Sequence, residues 1–224
     1  MLKLLTHIIP ELTLLICAVG YLVIPNYVLG SNMLINFPIH TTLLFSCGYA
    51  ILQFLLLHFV WPKAKAEIET VPTIGVKQPT PQKSWRWFKS LLLIVACWLL
   101  AHILCVLFGA AAFTLVEETT TWAVLVTCLI TVPALSTLGC DVTSLYRVIV
   151  CGNHSNETER FLYYQSAGTA LGSWASAVVI PLDWDRPWQV WPIPCIIGAI
   201  VGYAVGIITS CVVTIRELKT VKVL

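Results

Sequence analysis

Apolar residues in this chain come in long, nearly unbroken runs, and polar residues collect between the runs. A helix that is hydrophobic all round has no water-facing side and belongs in a protein core or a bilayer. About 20 such residues in a helix cross a hydrocarbon core about 30 Å thick. Six runs reach or approach that length, at about 4–24, 39–60, 89–111, 121–138, 166–180 and 193–213. Pro25 closes the first run, Trp61-Pro62-Lys63 closes the second, and Pro133 lies within the fourth. The fifth is short and rich in Gly, Ala and Ser. The pattern predicts an all-α integral membrane protein, a six-transmembrane-helix bundle forming one multi-spanning domain over 1–224.

The polar segments set an orientation. Of the 13 Lys and Arg residues, all but Arg186 fall before the first run, in 61–89, in 139–165 or after the sixth run. In a six-span chain those four regions share one side. Basic residues accumulate on the cytosolic side of membrane proteins. Both termini are therefore expected in the cytosol, with short lumenal loops opposite. The 62–84 segment, PKAKAEIETVPTIGVKQPTPQKS, holds four prolines and few apolar residues. It is expected to be a mobile cytosolic loop. Glu117 and Glu118 are placed in a short lumenal turn. Two N-x-[ST] triplets, Asn153-His154-Ser155 and Asn156-Glu157-Thr158, fall on the cytosolic side and read as a polar turn.

Composition narrows the class further. Hydrophobic residues make up 58% of the chain and charged residues 11%, where soluble domains carry roughly 25% charged residues. Mean hydropathy is +0.86. The net charge of +2 with no basic tract argues against a nucleic-acid partner. The first run is broken by His7, Pro10 and Glu11 and continues without a small-residue cleavage site, so it reads as a signal-anchor helix. Nine cysteines without a C-x-x-C pair argue against a disulfide framework. Those inside apolar runs act as small hydrophobes.

Candidate chemistry is sparse. His102, Gln53 and His58 lie at membrane depth, where ionisable and polar groups are functional candidates. His102 and Cys105 share a helix face but supply only two ligands, which does not define a metal site. An interhelical hydrogen bond is the expected role of His102. No nucleophile elbow, P-loop or H-E-x-x-H motif occurs, so no catalytic, cofactor-binding or metal residue is assigned.

Two features carry more. Gly198, Gly202, Gly206 and Ser210 recur at four-residue spacing in the sixth run, and Gly168, Gly172 and Ser176 do so in the fifth. Such stripes let helix backbones approach closely. Either the two runs pack on each other, or a stripe receives a partner's helix. The second feature is IPLDWDRPWQVWPIP at 180–194. Trp184, Trp188 and Trp191 suit the headgroup level. Arg186 is expected to pair with Asp183 or Asp185 and to stack on an indole. Pro181, Pro187, Pro192 and Pro194 stiffen the backbone. A rigid, aromatic, Arg-bearing patch has the composition of a docking hot spot.

The block PLDWDRPWQVWP resembles the signature of the PIG-F family. The likeness extends through Gly168, Gly172, Gly198, Gly202, Tyr203 and Gly206, with weaker patches at VLFGA (106–110) and TVPALSTLG (131–139). The resemblance implies a small multi-pass protein of the endoplasmic reticulum membrane that acts in glycosylphosphatidylinositol (GPI) anchor synthesis. It implies a non-catalytic subunit, without a cofactor, that stabilises the large ethanolamine phosphate transferases PIG-O and PIG-G. Those enzymes move ethanolamine phosphate from phosphatidylethanolamine to mannoses of the GPI precursor. The partner-binding residues expected here are Asp183, Trp184, Asp185, Arg186, Trp188, Trp191, Gly198, Gly202 and Gly206. Membrane lipids surround the chain; contact with the GPI precursor, and the choice between transferases, stay open. Two competing readings are an intramembrane lipid-modifying enzyme using His102 and the Asp183–Asp185 turn, and a small transporter with helices broken at Pro133 and the glycines.

Overall fold

The computed structural model describes residues 13, 16, 20–21, 33–59, 83–110, 113–182 and 184–221. All regular structure among them is helical. Five long helices carry it: α1 (Pro38–Phe59), α2 (Lys83–Leu107), α3 (Val116–Leu138), α4 (Glu157–Ser176) and α5 (Ile193–Val221). Single helical turns occupy Met33–Asn36, Val142–Leu145, Ala177–Val179 and Pro187–Gln189, and a π-helical turn spans Tyr146–Val150.

Four of the long helices contain stretches long and apolar enough to cross a membrane: Pro38–Leu55, Phe88–Leu107, Val116–Leu138 and Ile193–Glu217. The exception is α4, the counterpart of the fifth expected span. Most of the expected span 4–24 and nearly all of the 62–84 loop lie outside the described residues. Lys83 and Ser84, expected in that loop, open α2.

Helix boundaries depart from the hydropathy runs where capping chemistry competes with apolar length. The third run, expected over 89–111, is helical from Lys83 and stops at Leu107, with Gly109 at φ 102° just beyond. The fourth begins at Val116, so Glu117 and Glu118 lie in the first turn of α3 and not in a connecting loop. Carboxylates there oppose the positive end of the helix dipole. The fifth moves most, from 166–180 to 157–176. Asn156 Oδ1 accepts the Glu159 amide at 2.8 Å and caps the helix nine residues before the apolar run starts. Arg160, expected in a polar loop, is thereby a buried helix residue. Its guanidinium pairs with Glu217 and donates to Thr214 Oγ1 at 2.9 Å. Glu217 lies in the part of α5 that continues past the expected end at 213.

Helix α3 occupies the centre and packs against all four other long helices. The main core joins Tyr49 of α1, Leu125 and Leu129 of α3, and Ile196, Ile200, Tyr203 and Ile207 of α5. Tyr49 and Tyr203 share a hydrogen bond of 3.2 Å with their rings edge to face. Each phenol thus satisfies the other where water is absent. Ala134, Val148 and Leu162 form a smaller core that ties α3 and α4 to the π turn. The outward side of α2, including Leu91, Leu92, Leu99, Leu100 and Ile103, is exposed and aliphatic.

The bundle has two chemically different ends. At one, Trp191 of the 181–192 turn donates to Thr119 in the first turn of α3 at 3.3 Å. At the other, Arg160 meets Glu217, and Ser90 meets Cys140 at 2.9 Å. Arg147 clamps the same end: it holds both carboxylate oxygens of Glu159, at 2.7 and 3.1 Å, and the carbonyl of Asn153 at 2.8 Å.

Candidate functional site

The turn between α4 and α5 is assembled around a glutamine. Three prolines at 181, 187 and 192 cannot donate backbone hydrogen bonds, so side-chain donors supplement the few backbone amides. Gln189, 7% exposed, supplies them. Its Nε2 donates to the carbonyls of Val179 at 2.9 Å and Leu182 at 2.8 Å, while its Oε1 accepts the amide of Arg186 at 3.0 Å. Its own amide donates to the Arg186 carbonyl at 3.0 Å. One buried amide thus ties the end of α4, the tip of the turn and the entry to α5. Asp185 stands at φ 49°, a left-handed conformation that Asp tolerates better than most residues.

Indoles fix this frame to the bundle. Trp122 of α3 donates to Ser173 of α4 at 2.8 Å, and its ring lies 6.0 Å from Trp191. Trp188 packs against the main core. Trp184 stands outside, 55% exposed, edge to face with Trp188 at 6.1 Å.

Of the two ion pairs open to Arg186, the one with Asp185 is not made. Arg186 forms no salt bridge with Asp185 and stacks on no indole; among the described residues its guanidinium has neither an ionic nor a hydrogen-bonding partner. The backbone of Arg186 is engaged by Gln189, and its side chain projects into the surroundings. Asp183 lies outside the described residues. The turn therefore presents an exposed cation beside an exposed indole.

The two glycine stripes face each other. A Cβ built on Gly202 would fall far inside contact distance of the Gly168 carbonyl, one on Gly198 would strike Gly172 and Ser176, and one on Gly206 would strike the Tyr164 carbonyl. Of the two roles open to the stripes, mutual packing of α4 and α5 is the geometry found. The nine residues named from the sequence separate accordingly. Trp184, Asp185 and Arg186 are exposed at the tip, Trp188 and Trp191 anchor it, and Gly202 and Gly206 are buried in the helix seam. Gly198 lines an open apolar groove of about 640 Å³ along the seam, together with Leu171, Val179, Trp188, Val201 and Val205.

The sequence reading passed over Gln189. Its signal was available: it is an uncharged amide among prolines and tryptophans, in a turn with more carbonyls than backbone donors. His102 is a second correction. Its Nδ1 is buried without a hydrogen-bond partner, as is Nε1 of Trp98, whose ring lies 6.5 Å away. Among the described residues, the interhelical hydrogen bond expected of His102 is not made through Nδ1. Gln53 Oε1 is likewise buried without a partner among the described residues, and the His58 side chain lies outside them. Among the described residues no three His, Cys, Asp or Glu side chains gather as a metal site.

An all-helical fold with four helices able to cross a membrane, closed at one end by a rigid Trp-, Pro- and Arg-bearing turn, defines the class as a polytopic helical protein with a built surface turn. The family model described as "GPI biosynthesis protein family Pig-F" matches residues 18–211, and the chain belongs to that family. It is similar to the mouse protein named "GPI ethanolamine phosphate transferase, stabilizing subunit", 41% identical over 117 residues, covering 52% of this chain and 53% of the mouse protein. The human protein of the same name is 39% identical over 109 residues, covering 49% and 50%. "Glycosylphosphatidylinositol anchor biosynthesis protein 11" of Yarrowia lipolytica is 39% identical over 103 residues, covering 46% and 44%. The chain thus spans about half the length of the curated relatives it matches. No solved structure matches it.

Proposed function

We propose that this chain is a stabilising, non-catalytic subunit of GPI ethanolamine phosphate transferases of the endoplasmic reticulum membrane. Catalysis resides in a large partner of the PIG-O or PIG-G kind. The observation that carries the reading is the family match over 18–211, with relatives named as stabilising subunits. The turn supports it. A tip held by Gln189, Trp188 and Trp191 offers Trp184, Asp185 and Arg186 at little conformational cost, which is how a docking surface gains affinity. The transmembrane arrangement belongs to the same proposal: six spans, both termini cytosolic, the 181–192 turn lumenal. It is supported by the two ends of the bundle, since Arg147 and Arg160 gather at one and Arg186 sits at the other.

The experiment is affinity capture of the intact chain in mild detergent, followed by mass spectrometry and a transferase assay on the isolated chain. A large transferase subunit should co-purify, and the chain alone should transfer nothing. Transfer by the chain alone would replace this reading with the intramembrane enzyme.

A further inference from the structure

The groove along the α4–α5 seam has a depth and an end chemistry of its own. Its floor is formed by Gly168, Gly172, Gly198 and Gly202, which already touch across the seam and so offer no bare ridge to a third helix. Its walls are the exposed side chains of Leu171 on α4 and Val201 and Val205 on α5. From Pro194 to Val205 it follows α5 for about 16 Å at 1.5 Å per residue. That is close to half of the roughly 30 Å hydrocarbon core, the depth of one leaflet. A volume of about 640 Å³ lies within the range of small-molecule sites.

The upper end of the groove is formed by Val179 and Trp188. Gln189 links the carbonyl of Val179 to the amide of Arg186, so the backbone of this exposed arginine is tied to that end. Indoles mark the headgroup level of a membrane, and a guanidinium there has five donors suited to a phosphate. We infer that the groove holds an acyl chain of a glycerophospholipid whose phosphate is bound by Arg186. An apolar slot one leaflet deep, with one exposed cation tied to its interfacial end, fits a molecule that is a hydrocarbon chain below and an anionic phosphodiester above. The inference rests on the membrane reading and does not depend on pairing with a transferase.

The test uses the full chain in phosphatidylcholine nanodiscs. One probe is phosphatidylethanolamine carrying a diazirine midway along one acyl chain; the other is diacylglycerol with the same chain. After irradiation, crosslinked peptides are quantified. The phospholipid should label peptides containing Leu171, Val201 and Val205 above those from the outward face of α2. Arg186→Gln, at an exposed position, should lower groove labelling by the phospholipid about fivefold, as for loss of one charge-assisted contact. It should leave diacylglycerol labelling unchanged. Val205→Trp, or Leu171→Trp from the opposite wall, should fill the slot and reduce both probes to the α2 level. Groove labelling equal to that of α2 in the wild type would overturn the inference, and so would Arg186→Gln without effect on the phospholipid. Capture of a partner's helix by groove residues in the co-purified complex would assign the slot to that helix instead. Loss of groove labelling in Val205→Trp, outside the docking tip, with normal transferase capture separates this inference from the proposed function.

Discussion

Gln189 and Arg186 divide the 181–192 turn between inward and outward roles. Gln189 satisfies three backbone groups with one side chain. Gln189→Ala leaves the Arg186 amide without its partner and removes a second donor from the carbonyls of Val179 and Leu182, which keep the amides of Leu182 and Trp184; an unmade hydrogen bond at such a site costs about 1–3 kcal/mol. The variant is expected to unfold at lower temperature in detergent and to become more accessible to protease at the turn. Protection equal to wild type would contradict the role assigned to Gln189. At the opposite end the decisive residue is Glu159. The hydrogen bond from Arg147, reinforced by the Ser155 amide, holds its carboxyl below the ordinary glutamate value against the opposing effect of burial. The native state therefore takes up this proton less readily than the unfolded chain. The resulting stability is fully present above the unfolded value of about 4.3 and is lost as pH falls through the lowered native one. The melting temperature of wild type minus that of Glu159→Gln should stay constant from about pH 7 to 5 and shrink only below about pH 4. A difference that vanishes by about pH 6 would contradict the clamp.

Among elements, the α4–α5 pair is the least tolerant of added volume. In lipid, close backbone approach is the attraction available to two apolar helices. Gly202→Ala places a methyl group against the Gly168 carbonyl, and the helices must separate. The expected cost is about 3 kcal/mol or more, at the upper end for overpacking. Gly48→Ala in α1 meets nothing within 4 Å and is the control. It should be neutral or gain about 0.5–1 kcal/mol from helix propensity. Equal thermal stability of the two variants would contradict the packing described. The spacing of Gly198, Gly202 and Gly206 made a close helix contact legible in the sequence, but spacing alone does not name the neighbour. The start of α4 was hidden for another reason. Hydropathy follows apolar length, whereas this helix is started by Asn156 and by Glu157 and Glu159 in its first turn, all polar. Arg160 was misplaced with it, because its burial depends on Glu217 and Thr214, more than fifty residues away. The Trp and Pro residues of the turn were legible as a rigid patch. That Arg186 does not pair with Asp185 was not, since adjacency says nothing of direction once Asp185 takes a positive φ.

Across the molecule, an apolar helical bundle carries a turn whose interior is satisfied by Gln189 and whose tip is exposed. Arg147 and Arg160 secure one end through carboxylates, while Arg186 at the other is exposed. The orientation proposed for the bundle has its own check. An N-glycan should not appear at Asn153 or Asn156 in cells, whereas an acceptor triplet inserted after Asp185 should be exposed to the lumen. Glycan at Asn153 would invert the topology. The central claim, that the chain sustains a transferase through the exposed tip, is tested most directly by the steady-state amount of the large transferase subunits. The measurement is made in cells lacking this chain and re-expressing wild type or the double variant Trp184→Ala, Arg186→Ala. Both positions are exposed, so the variant chain should accumulate normally. The account predicts that the wild type restores the transferase and that the double variant, at equal abundance, leaves it depleted. Full restoration by the double variant would show that the tip is only an anchor at the membrane surface.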